Sequence, residues 1–325
     1  MIISRTPFRI SFAGGGSDLP SFYRREQGAV LSTSINKYIY IAIHPFFYPN
    51  KIQLKYSKTE LVDNVTQITH PIFKECLKMM NINGVDINSI ADIPAGTGLG
   101  SSSSFTVGLL HALNTYNNCY VSPEYLASSA CDIEIQRLGE PIGKQDQYAA
   151  AYGGLNFIKF NPDESVEVEK IIMHPSEKKQ LQDNLVMIYT GDVRSASAIL
   201  EQQSEAMNHA DKRTSQRKMV EQAFVLKDIL QKNQIDDFGR VLHEGWLLKK
   251  TLTKGISTSI VDDIYKKGIK AGALGGKLLG AGGGGFILFY CPPNRQEEFR
   301  RKMVQFRELD FRFDNGGSKI THIAD

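Results

Sequence analysis

A glycine- and serine-rich stretch, GTGLGSSSSF at residues 96–105, constrains the fold of this chain more than any other feature. The segment before it, GVDINSIADIP (residues 84–94), predicts a strand, and the segment after it, FTVGLLHALNTY (residues 105–116), has the apolar spacing of a helix. A flexible linker would instead lie between polar, unstructured segments. In a strand–loop–helix unit, loop amides and the helix N-terminus converge on an anion. We therefore predict a phosphate-binding loop, although a tight turn with an N-cap serine would give a similar pattern.

Two common nucleotide-binding motifs do not account for this loop. AGALGGKL (residues 271–278) approaches the Walker pattern, but Ala271 stands where glycine is required and Leu278 where Ser or Thr would hold Mg²⁺. GAGGGG (residues 280–285) formally fits the dinucleotide pattern GxGxxG, but it precedes a predicted strand, whereas the dinucleotide motif follows one. That weak match is the only feature that supports a third interpretation, a nicotinamide-dependent dehydrogenase.

Composition and charge narrow the class of protein. The 325 residues are 42% hydrophobic and 22% charged, which is typical of a globular chain of two domains or one large one. The net charge of +3, without a long basic run, does not indicate a nucleic-acid partner. No apolar stretch is long enough for a membrane span and no signal-peptide pattern begins the chain. We expect a cytoplasmic protein with no membrane or nucleic-acid partner, and nothing in the sequence indicates its oligomeric state.

The four cysteines lie far apart in the sequence and form no CxxC pair. A disulfide scaffold would need a denser set, and a zinc site would need tighter spacing. We expect buried free thiols.

Strand and helix patterns both occur along the chain. A polar segment with two prolines at residues 161–184 places a domain boundary near residue 180, so that the domains are residues 1–180 and 181–325. The strand patterns are residues 9–12, 38–48, 84–94, 185–191, the segment after GAGGGG and a pair around DNGG, and the helical patterns are residues 70–82, 105–116, 122–139, 195–231, 235–251 and 295–306.

Acidic residues are concentrated between residues 132 and 146, where Asp132, Glu134, Glu140 and Asp146 lie. Each of them taken singly is typical of a solvated surface carboxylate. Asp146 differs because the segment GKQDQYAAAYGG surrounds it with small and apolar residues. A carboxylate buried there beside Lys144 would suit a general base.

Three segments together resemble the motifs of the GHMP kinases, the family named for galactokinase, homoserine kinase, mevalonate kinase and phosphomevalonate kinase. PAGTGLGSSSS (residues 94–104) resembles the PxxxGLGSS motif, TPFRISFAGGGSDLP (residues 6–20) the first motif, and KLLGAGGGGFILF (residues 277–289) the third. They occur in the family's order across essentially the whole chain. The resemblance implies a two-domain α+β fold, with an N-terminal domain like domain 2 of ribosomal protein S5, a ferredoxin-like C-terminal domain, and an active site between them.

The resemblance also implies ATP and Mg²⁺ as cofactors and assigns the residues that would hold them. Ser102 and Glu134 would contact the metal ion. The residues expected to surround the nucleotide are Pro94, Gly96, Gly98, Leu99, Gly100, Ser101, Ser102, Ser103, Gly282 and Gly283.

For the acceptor, the resemblance implies that Asp146 takes the proton of a hydroxyl group and that Arg9 lies near the transferred phosphate. Asp18 would bind sugar hydroxyls, with Gly15, Gly16 and Ser17 beside it. Such a set is coherent, since phosphoryl transfer needs positioning and charge neutralisation more than covalent chemistry.

Within the family, FAGGGSDLPSFY, RLGEPIGKQDQYAAAYGG and YTGDVRSAS are similar to the sugar 1-kinases that act on D-glycero-D-manno-heptose 7-phosphate. A phosphorylated acceptor needs a second anion site, for which Lys144, Arg194, Arg24 and Arg25 are candidates, Lys144 and Arg194 before the others. Two alternatives stay open: a kinase for an unphosphorylated sugar such as L-fucose or galactose, and a catalytically silent sugar or nucleotide sensor on the same fold. Intact Glu134 and Asp146 argue against the sensor.

Overall fold

The computed structural model of the protein describes residues 1–191 and 196–324, within which the strands form a nine-stranded and a three-stranded sheet. The strands are β1 (Ile2–Ala13), β2 (Gly28–Pro45), β3 (Ile52–Lys55), β4 (Thr59–Val62), β5 (Val85–Ala91), β6 (Leu155–Phe160), β7 (Val166–Lys170), β8 (Leu185–Tyr189), β9 (Gly275–Leu278), β10 (Phe286–Tyr290), β11 (Phe313–Asp314) and β12 (Lys319–Ile323).

Helices cover both sheets, and none of those in the described ranges is long and apolar enough to cross a bilayer. The α-helices are α1 (Pro20–Tyr23), α2 (Pro71–Met80), α3 (Ser101–Tyr116), α4 (Pro123–Cys131), α5 (Gln145–Tyr152), α6 (Pro175–Asp183), α7 (Ser197–Ala206), α8 (Ala210–Gln231), α9 (Phe238–Leu252), α10 (Ser259–Lys270) and α11 (Pro293–Met303).

The larger sheet is organised around β2, which is 18 residues long. Its N-terminal part pairs with β6, its C-terminal part pairs with β5, and β1 pairs along its other edge. The strand order is β12-β1-β2-β5-β3-β4, and only β3 and β5 run parallel among the described pairs. The smaller sheet has the antiparallel order β8-β10-β9. This mixture of antiparallel sheets and helices confirms the predicted α+β class.

Helix α3 packs on β1, and this contact determines where the glycine–serine loop lies. The hydroxyl of Ser104 donates to the carbonyl of Pro7 at 2.9 Å, and that of Ser4 donates to the carbonyl of Gly108 at 2.7 Å. The backbone N–H of Arg9 donates to the carbonyl of Leu99 at 3.1 Å. The start of α3 is therefore attached to the middle of β1.

The domain boundary near residue 180 stays a prediction. The polar segment includes β7, which belongs to the larger sheet, and the smaller sheet begins just after it with β8. The closing strands β11 and β12 pair with β2 and β1, however, and so return to the larger sheet. The chain after residue 180 thus contributes to both sheets.

Several sequence-based expectations were wrong in detail. The predicted helix 122–139 is α-helical only to Cys131 and continues as a π-helix from Asp132 to Arg137. GAGGGG joins the antiparallel strands β9 and β10, so the dinucleotide-binding interpretation fails, since that motif joins a strand to a helix. The strands around DNGG do not pair with each other. All four thiols are free, but Cys119 is exposed rather than buried.

Candidate active site

A cleft of about 370 Å³ is lined by the loop before α3, the loop after β1, and the loop between β9 and β10. It brings together most of the residues that the sequence predicted. The predicted residues in its lining are Arg9, Gly15, Gly16, Asp18, Gly96, Gly98, Gly100, Ser101, Ser102, Ser103, Glu134, Asp146 and Gly282.

Two glycine-rich loops touch each other at one end of this cleft. A Cβ atom on Gly98 would lie 2.5 Å from the carbonyl oxygen of Leu279, and one on Gly280 would lie 2.5 Å from Cα of Gly98. Both glycines also have positive φ, 84° and 76°. No other residue type fits this approach, because it would need both the left-handed backbone and the missing side chain.

The N-terminus of α3 opens onto the cleft. Gly100 is the N-cap residue with φ 77°, and its carbonyl accepts the N–H of Ser104 at 3.0 Å. The N–H groups of Ser101, Ser102 and Ser103 come before the first intrahelical donor and lie at the positive end of a 16-residue helix. The arrangement suits an anion, as the sequence predicted.

Arg9 and Asp146 form a two-point ion pair beside the glycine loop. Nε and Nη2 of Arg9 donate to Oδ1 and Oδ2 of Asp146 at 2.8 and 2.7 Å, and Nη1 donates to the carbonyl of Gly98 at 2.6 Å. The arginine is buried, whereas the carboxylate keeps 24% of its side-chain surface exposed to the cleft. The guanidinium therefore fixes the orientation of Asp146 without covering it.

Asp18 is buried in the lining of the cleft, near Asp146. Its Oδ1 accepts the N–H of Gly16 at 2.9 Å, and its Oδ2 accepts the backbone N–H of Gln145 at 3.2 Å. Burial raises the pKa of this carboxyl, and the negative charge of Asp146 raises it further. A Cβ atom on Gly143 would lie 2.0 Å from Asp18 Oδ2, so the carboxyl occupies space that only a glycine leaves open.

Glu134 lies on the π-helical segment and points toward the start of α3. Ser102 Oγ donates to Glu134 Oε1 at 2.8 Å, and Gln147 Nε2 donates to Oε2 at 2.7 Å. Only 1% of this residue is exposed, and burial raises its pKa despite the hydrogen bonds from Ser102, Gln147 and Ser103. π-Helical turns are frequent at functional sites, since they redirect side chains.

The residues around Glu134 fit a magnesium ion that is shared with phosphate groups. Glu134 is a buried carboxylate that forms no ion pair among the described residues. Its oxygens and the Ser102 hydroxyl are hard ligands of the kind that Mg²⁺ prefers. In the described part of the chain, no three His, Cys, Asp or Glu side chains form a cluster that would bind a metal alone. Mg²⁺ commonly has few protein ligands and takes the others from water and substrate phosphates.

Two lysines in the cleft were missed by the sequence analysis. Lys249 on α9 and Lys277 on β9 are 6% and 7% exposed, and both line the cleft. Lys277 is the first residue of the segment that resembles the third motif, but nothing in the local pattern shows that its side chain reaches β1. Lys249 lies in the run LLKKTL, where a solvated charge is the ordinary expectation.

Some predicted site residues lie outside the cleft lining. Lys144 Nζ donates to Glu164 Oε2 at 2.7 Å and lies 4.6 Å from the ring centroid of Tyr23. Arg24 pairs with Glu164 at 2.6 Å. Arg25 donates to the carbonyl of Met207 at 3.0 Å. The other predicted residues outside the lining are Ser17, Pro94, Leu99 and Gly283, and Arg194 falls outside the residues that the structure describes.

Known proteins are similar to this chain over most of its length. The family model described as the GHMP kinases N terminal domain matches residues 64–154, and that described as GHMP kinases C terminal matches residues 226–308. A D-glycero-alpha-D-manno-heptose 7-phosphate kinase from Campylobacter jejuni is 28% identical over 99% of this chain and 99% of its own length. A galactokinase from Pyrococcus furiosus is 27% identical over 87% of each chain.

The fold of the chain is also similar to that of solved structures. The crystal structure of a D-glycero-D-manno-heptose 1-phosphate kinase from Bacteroides thetaiotaomicron superposes with a TM-score of 0.81, at 26% identity, over 100% of both chains. The two family matches together span more than half of the chain, and the expected two-domain fold is confirmed. The chain therefore belongs to the GHMP kinase family and is a phosphotransferase that uses an alcohol group as acceptor.

Proposed function

We propose that this GHMP sugar kinase transfers the γ-phosphoryl group of ATP to the anomeric C1 hydroxyl of D-glycero-D-manno-heptose 7-phosphate. The product would be the 1,7-bisphosphate, for the synthesis of nucleotide-activated heptose. The observation that supports a sugar hydroxyl as the acceptor is a pair of carboxylates, Asp18 and Asp146. Both line the cleft beside the predicted phosphate loop. The end-to-end similarity to a kinase of this heptose phosphate supports the particular sugar.

Asp146 would accept the proton of the attacking hydroxyl. The Arg9 guanidinium holds both carboxylate oxygens in one plane, so a free lone pair of the carboxylate stays directed into the cleft. As the hydroxyl oxygen bonds to the γ-phosphorus, its proton passes to Asp146 and the bond from phosphorus to the bridging oxygen of ADP breaks. An anomeric hydroxyl is more acidic than an ordinary alcohol, so a carboxylate is a reasonable base for it.

The nucleotide phosphates would lie over the start of α3. N–H groups of Ser101, Ser102 and Ser103 would donate to phosphate oxygens, in the manner of other helix N-termini. When bound, Mg²⁺ would offset negative charge on the phosphates. Ser102 and Glu134 are the residues positioned to hold it, and Gln147 keeps the glutamate in that orientation.

Asp18 would bind hydroxyl groups of the sugar. Its carboxylate is held by the N–H groups of Gly16 and Gln145, and Gly143 leaves the space that it occupies. Sugar hydroxyls that donate to it would replace the water lost on burial.

Gly143→Ala is expected to raise KM for the sugar roughly tenfold, about the effect of one lost charge-assisted hydrogen bond. The new Cβ would overlap Asp18 Oδ2, so the carboxyl must turn away. KM for ATP should stay within about twofold, because the loop before α3 is untouched. Steady-state kinetics with each substrate varied in turn would measure both constants.

Gly139→Ala is the matched control in the same loop, since a Cβ there meets no atom within 4 Å. Its φ of 67° adds some backbone strain, so it reports the stability cost of an alanine without the clash. Equal sugar KM values for the two variants would show that Asp18 does not bind the acceptor.

A kinase for an unphosphorylated sugar is the second candidate. Lys144, Arg24 and Arg25, the described candidates for a second anion site, are engaged by Glu164 or by backbone outside the cleft. The galactokinase similarity, and 26% identity to the bifunctional fucokinase/GDP-fucose pyrophosphorylase of Arabidopsis thaliana over 95% of this chain and 32% of that protein, also favour it.

A substrate panel separates the two candidates. With ATP and Mg²⁺, kcat/KM for D-glycero-D-manno-heptose 7-phosphate should exceed that for L-fucose and D-galactose by roughly 100-fold or more. Phosphorus NMR of the product should show a new phosphate coupled to the anomeric proton. Heptose 1-phosphate belongs in the panel, because the Campylobacter and Bacteroides heptose kinases are named for different phosphate positions. A higher kcat/KM for a free hexose would refute the heptose assignment.

A further inference from the structure

Lys249 and Lys277 bring two amine groups into the cleft from the part of the chain that follows residue 180. Among the described residues, their Nζ atoms donate to backbone carbonyls alone: Lys249 to Gly280, and Lys277 to Ser11 at 2.7 Å and Phe12 at 3.1 Å. Within residues 1–191 and 196–324, neither amine lies within ion-pair distance of a carboxylate. Buried charges are ordinarily paired, since an unpaired one is costly to desolvate.

The position of Lys249 indicates which ligand its amine would bind. Its acceptor Gly280 is the glycine that touches Gly98 of the phosphate loop. The charged groups that influence its amine are Arg9, Asp18 and Asp146, from β1, the following loop and α5. Lys249 therefore lines the cleft where the two glycine-rich loops meet, close enough to Arg9, Asp18 and Asp146 for their charges to act on its amine.

An ammonium group has three donors, and Lys249 uses one of them on Gly280. The remaining two are available to a ligand in the cleft. Lys277 uses two donors on β1 and so lies deeper, behind the site of transfer.

We propose that Lys249 donates hydrogen bonds to the γ-phosphoryl oxygens of bound ATP and keeps them during transfer. This inference rests on the proposed phosphoryl transfer from ATP. Lys249 breaks no bond and accepts no proton: the bridging P–O bond of ATP breaks, the acceptor O–P bond forms, and Asp146 takes the hydroxyl proton. Charge stabilisation at the transferred group is the main means of catalysis in such reactions.

The binding test compares ATP with ADP, which lacks the γ-phosphoryl group. Lys249→Met should weaken ATP binding roughly 10- to 100-fold, as for one lost charge-assisted hydrogen bond, and leave ADP binding within about twofold. Isothermal titration calorimetry with each nucleotide and Mg²⁺, without any sugar, gives both affinities. Lys250→Met is the control, because Lys250 on the same helix pairs with Asp262 outside the cleft lining.

Two results would overturn the proposal. One is an equal loss of affinity for ATP and ADP, and the other is unchanged affinity for both nucleotides with a raised KM for the sugar phosphate in separate kinetic measurements, which would assign Lys249 to the acceptor. Misfolding is checked by the melting temperature, since replacing an unpaired buried charge by Met should not lower it. Because no acceptor is present, the assay stays valid even if the proposed sugar is wrong.

The pH profile supplies a second readout. Burial, with the charge of Arg9 added, lowers the pKa of Lys249 to about 8. Burial and the charges of Lys249 and Arg9 hold the pKa of Lys277 well below its usual range. If the charged form of Lys249 binds the phosphoryl group, kcat/KM for ATP should fall as the pH rises through about 8. In Lys249→Arg that fall should move to higher pH, and an unchanged profile would contradict the proposal.

Discussion

Replacing Asp146 by asparagine should lower kcat about 10³-fold, within the range that a positioned general base contributes. Asparagine keeps the shape of the side chain and one carbonyl oxygen for Arg9, but it cannot accept the proton of the attacking hydroxyl. The sugar and ATP would still bind, so their KM values should change much less than kcat. Single-turnover measurement of sugar phosphate formation reports the chemical step directly.

The structural cost of Asp146→Asn must be separated from the chemical one. Arg9 is 3% exposed and would lose its counter-ion, so the melting temperature should fall by a few degrees. ADP affinity, which does not need the base, serves as the test of an intact cleft. Asp237→Asn, which breaks a surface pair with Arg240, should leave kcat unchanged. An Asp146→Asn enzyme with intact ADP binding and kcat within a few-fold of wild type would show that Asp146 is not the base.

The local sequence pattern was sufficient to predict a glycine-rich loop between a strand and a helix, and this loop does open onto the cleft. Strand β5, the glycines and helix α3 are adjacent in the chain, and their order favours an anion site at the helix start. Asp146 was identified by the small and apolar residues around it, and it does lie in the cleft. Features encoded by segments that follow one another directly in the chain were therefore accessible from the sequence.

Features that depend on distant contacts were not accessible. Lys277 reaches the carbonyls of Ser11 and Phe12 across more than 260 positions, and Lys249 reaches the cleft only because α9 packs on β9. Lys144, which had the right surroundings in the sequence, is instead held by Glu164, twenty residues further along. The surroundings of a lysine in the sequence do not determine where its long side chain ends.

The π-helical turn at Asp132–Arg137 is a subtler case. The sequence predicts one continuous helix up to Gly139, and the N–H of Leu138 instead bonds to the carbonyl of Ile133 at 3.0 Å, five residues back. Periodicity does not separate these two forms over six residues, since both place Ile133 in the core. The exact direction of Glu134 therefore required the structure.

Glu134→Gln should reduce kcat by on the order of 10²–10³-fold at a fixed Mg²⁺ concentration, and raise the Mg²⁺ concentration needed for half-maximal rate. The glutamine keeps the volume and an acceptor for the hydroxyl of Ser102, but it loses the negative charge that a cation needs. Titration of the rate with Mg²⁺ at saturating ATP measures both effects. Glu244→Gln, which alters a surface pair with Arg240, is the control for a glutamate lost elsewhere. If the Glu134→Gln enzyme showed the same Mg²⁺ dependence as the wild type, Glu134 would not be a ligand of the metal.

The same substitution should stabilise the protein in the absence of Mg²⁺ and nucleotide. Burial raises the pKa of Glu134 above its ordinary value of 4.5, so the folded state binds this proton more tightly than the unfolded state. Folding of the wild type is therefore penalised near neutral pH, and the penalty fades as the pH falls through the raised pKa toward 4.5. Gln147 Oε1, which is buried with no hydrogen-bond partner among the described residues, can accept from the new amide if the Gln147 side chain flips.

We accordingly expect Glu134→Gln to raise the free energy of unfolding by about 1 kcal/mol at pH 7, and by less at lower pH. Denaturant unfolding of both proteins at pH 7 and pH 5 tests the size and the direction of that change. A less stable variant at pH 7 would mean that the carboxylate is held by its hydrogen bonds from Ser102 and Gln147 more strongly than burial disfavours it. A more stable but inactive variant would instead show that this carboxylate is retained for binding a cation, at a cost to the fold.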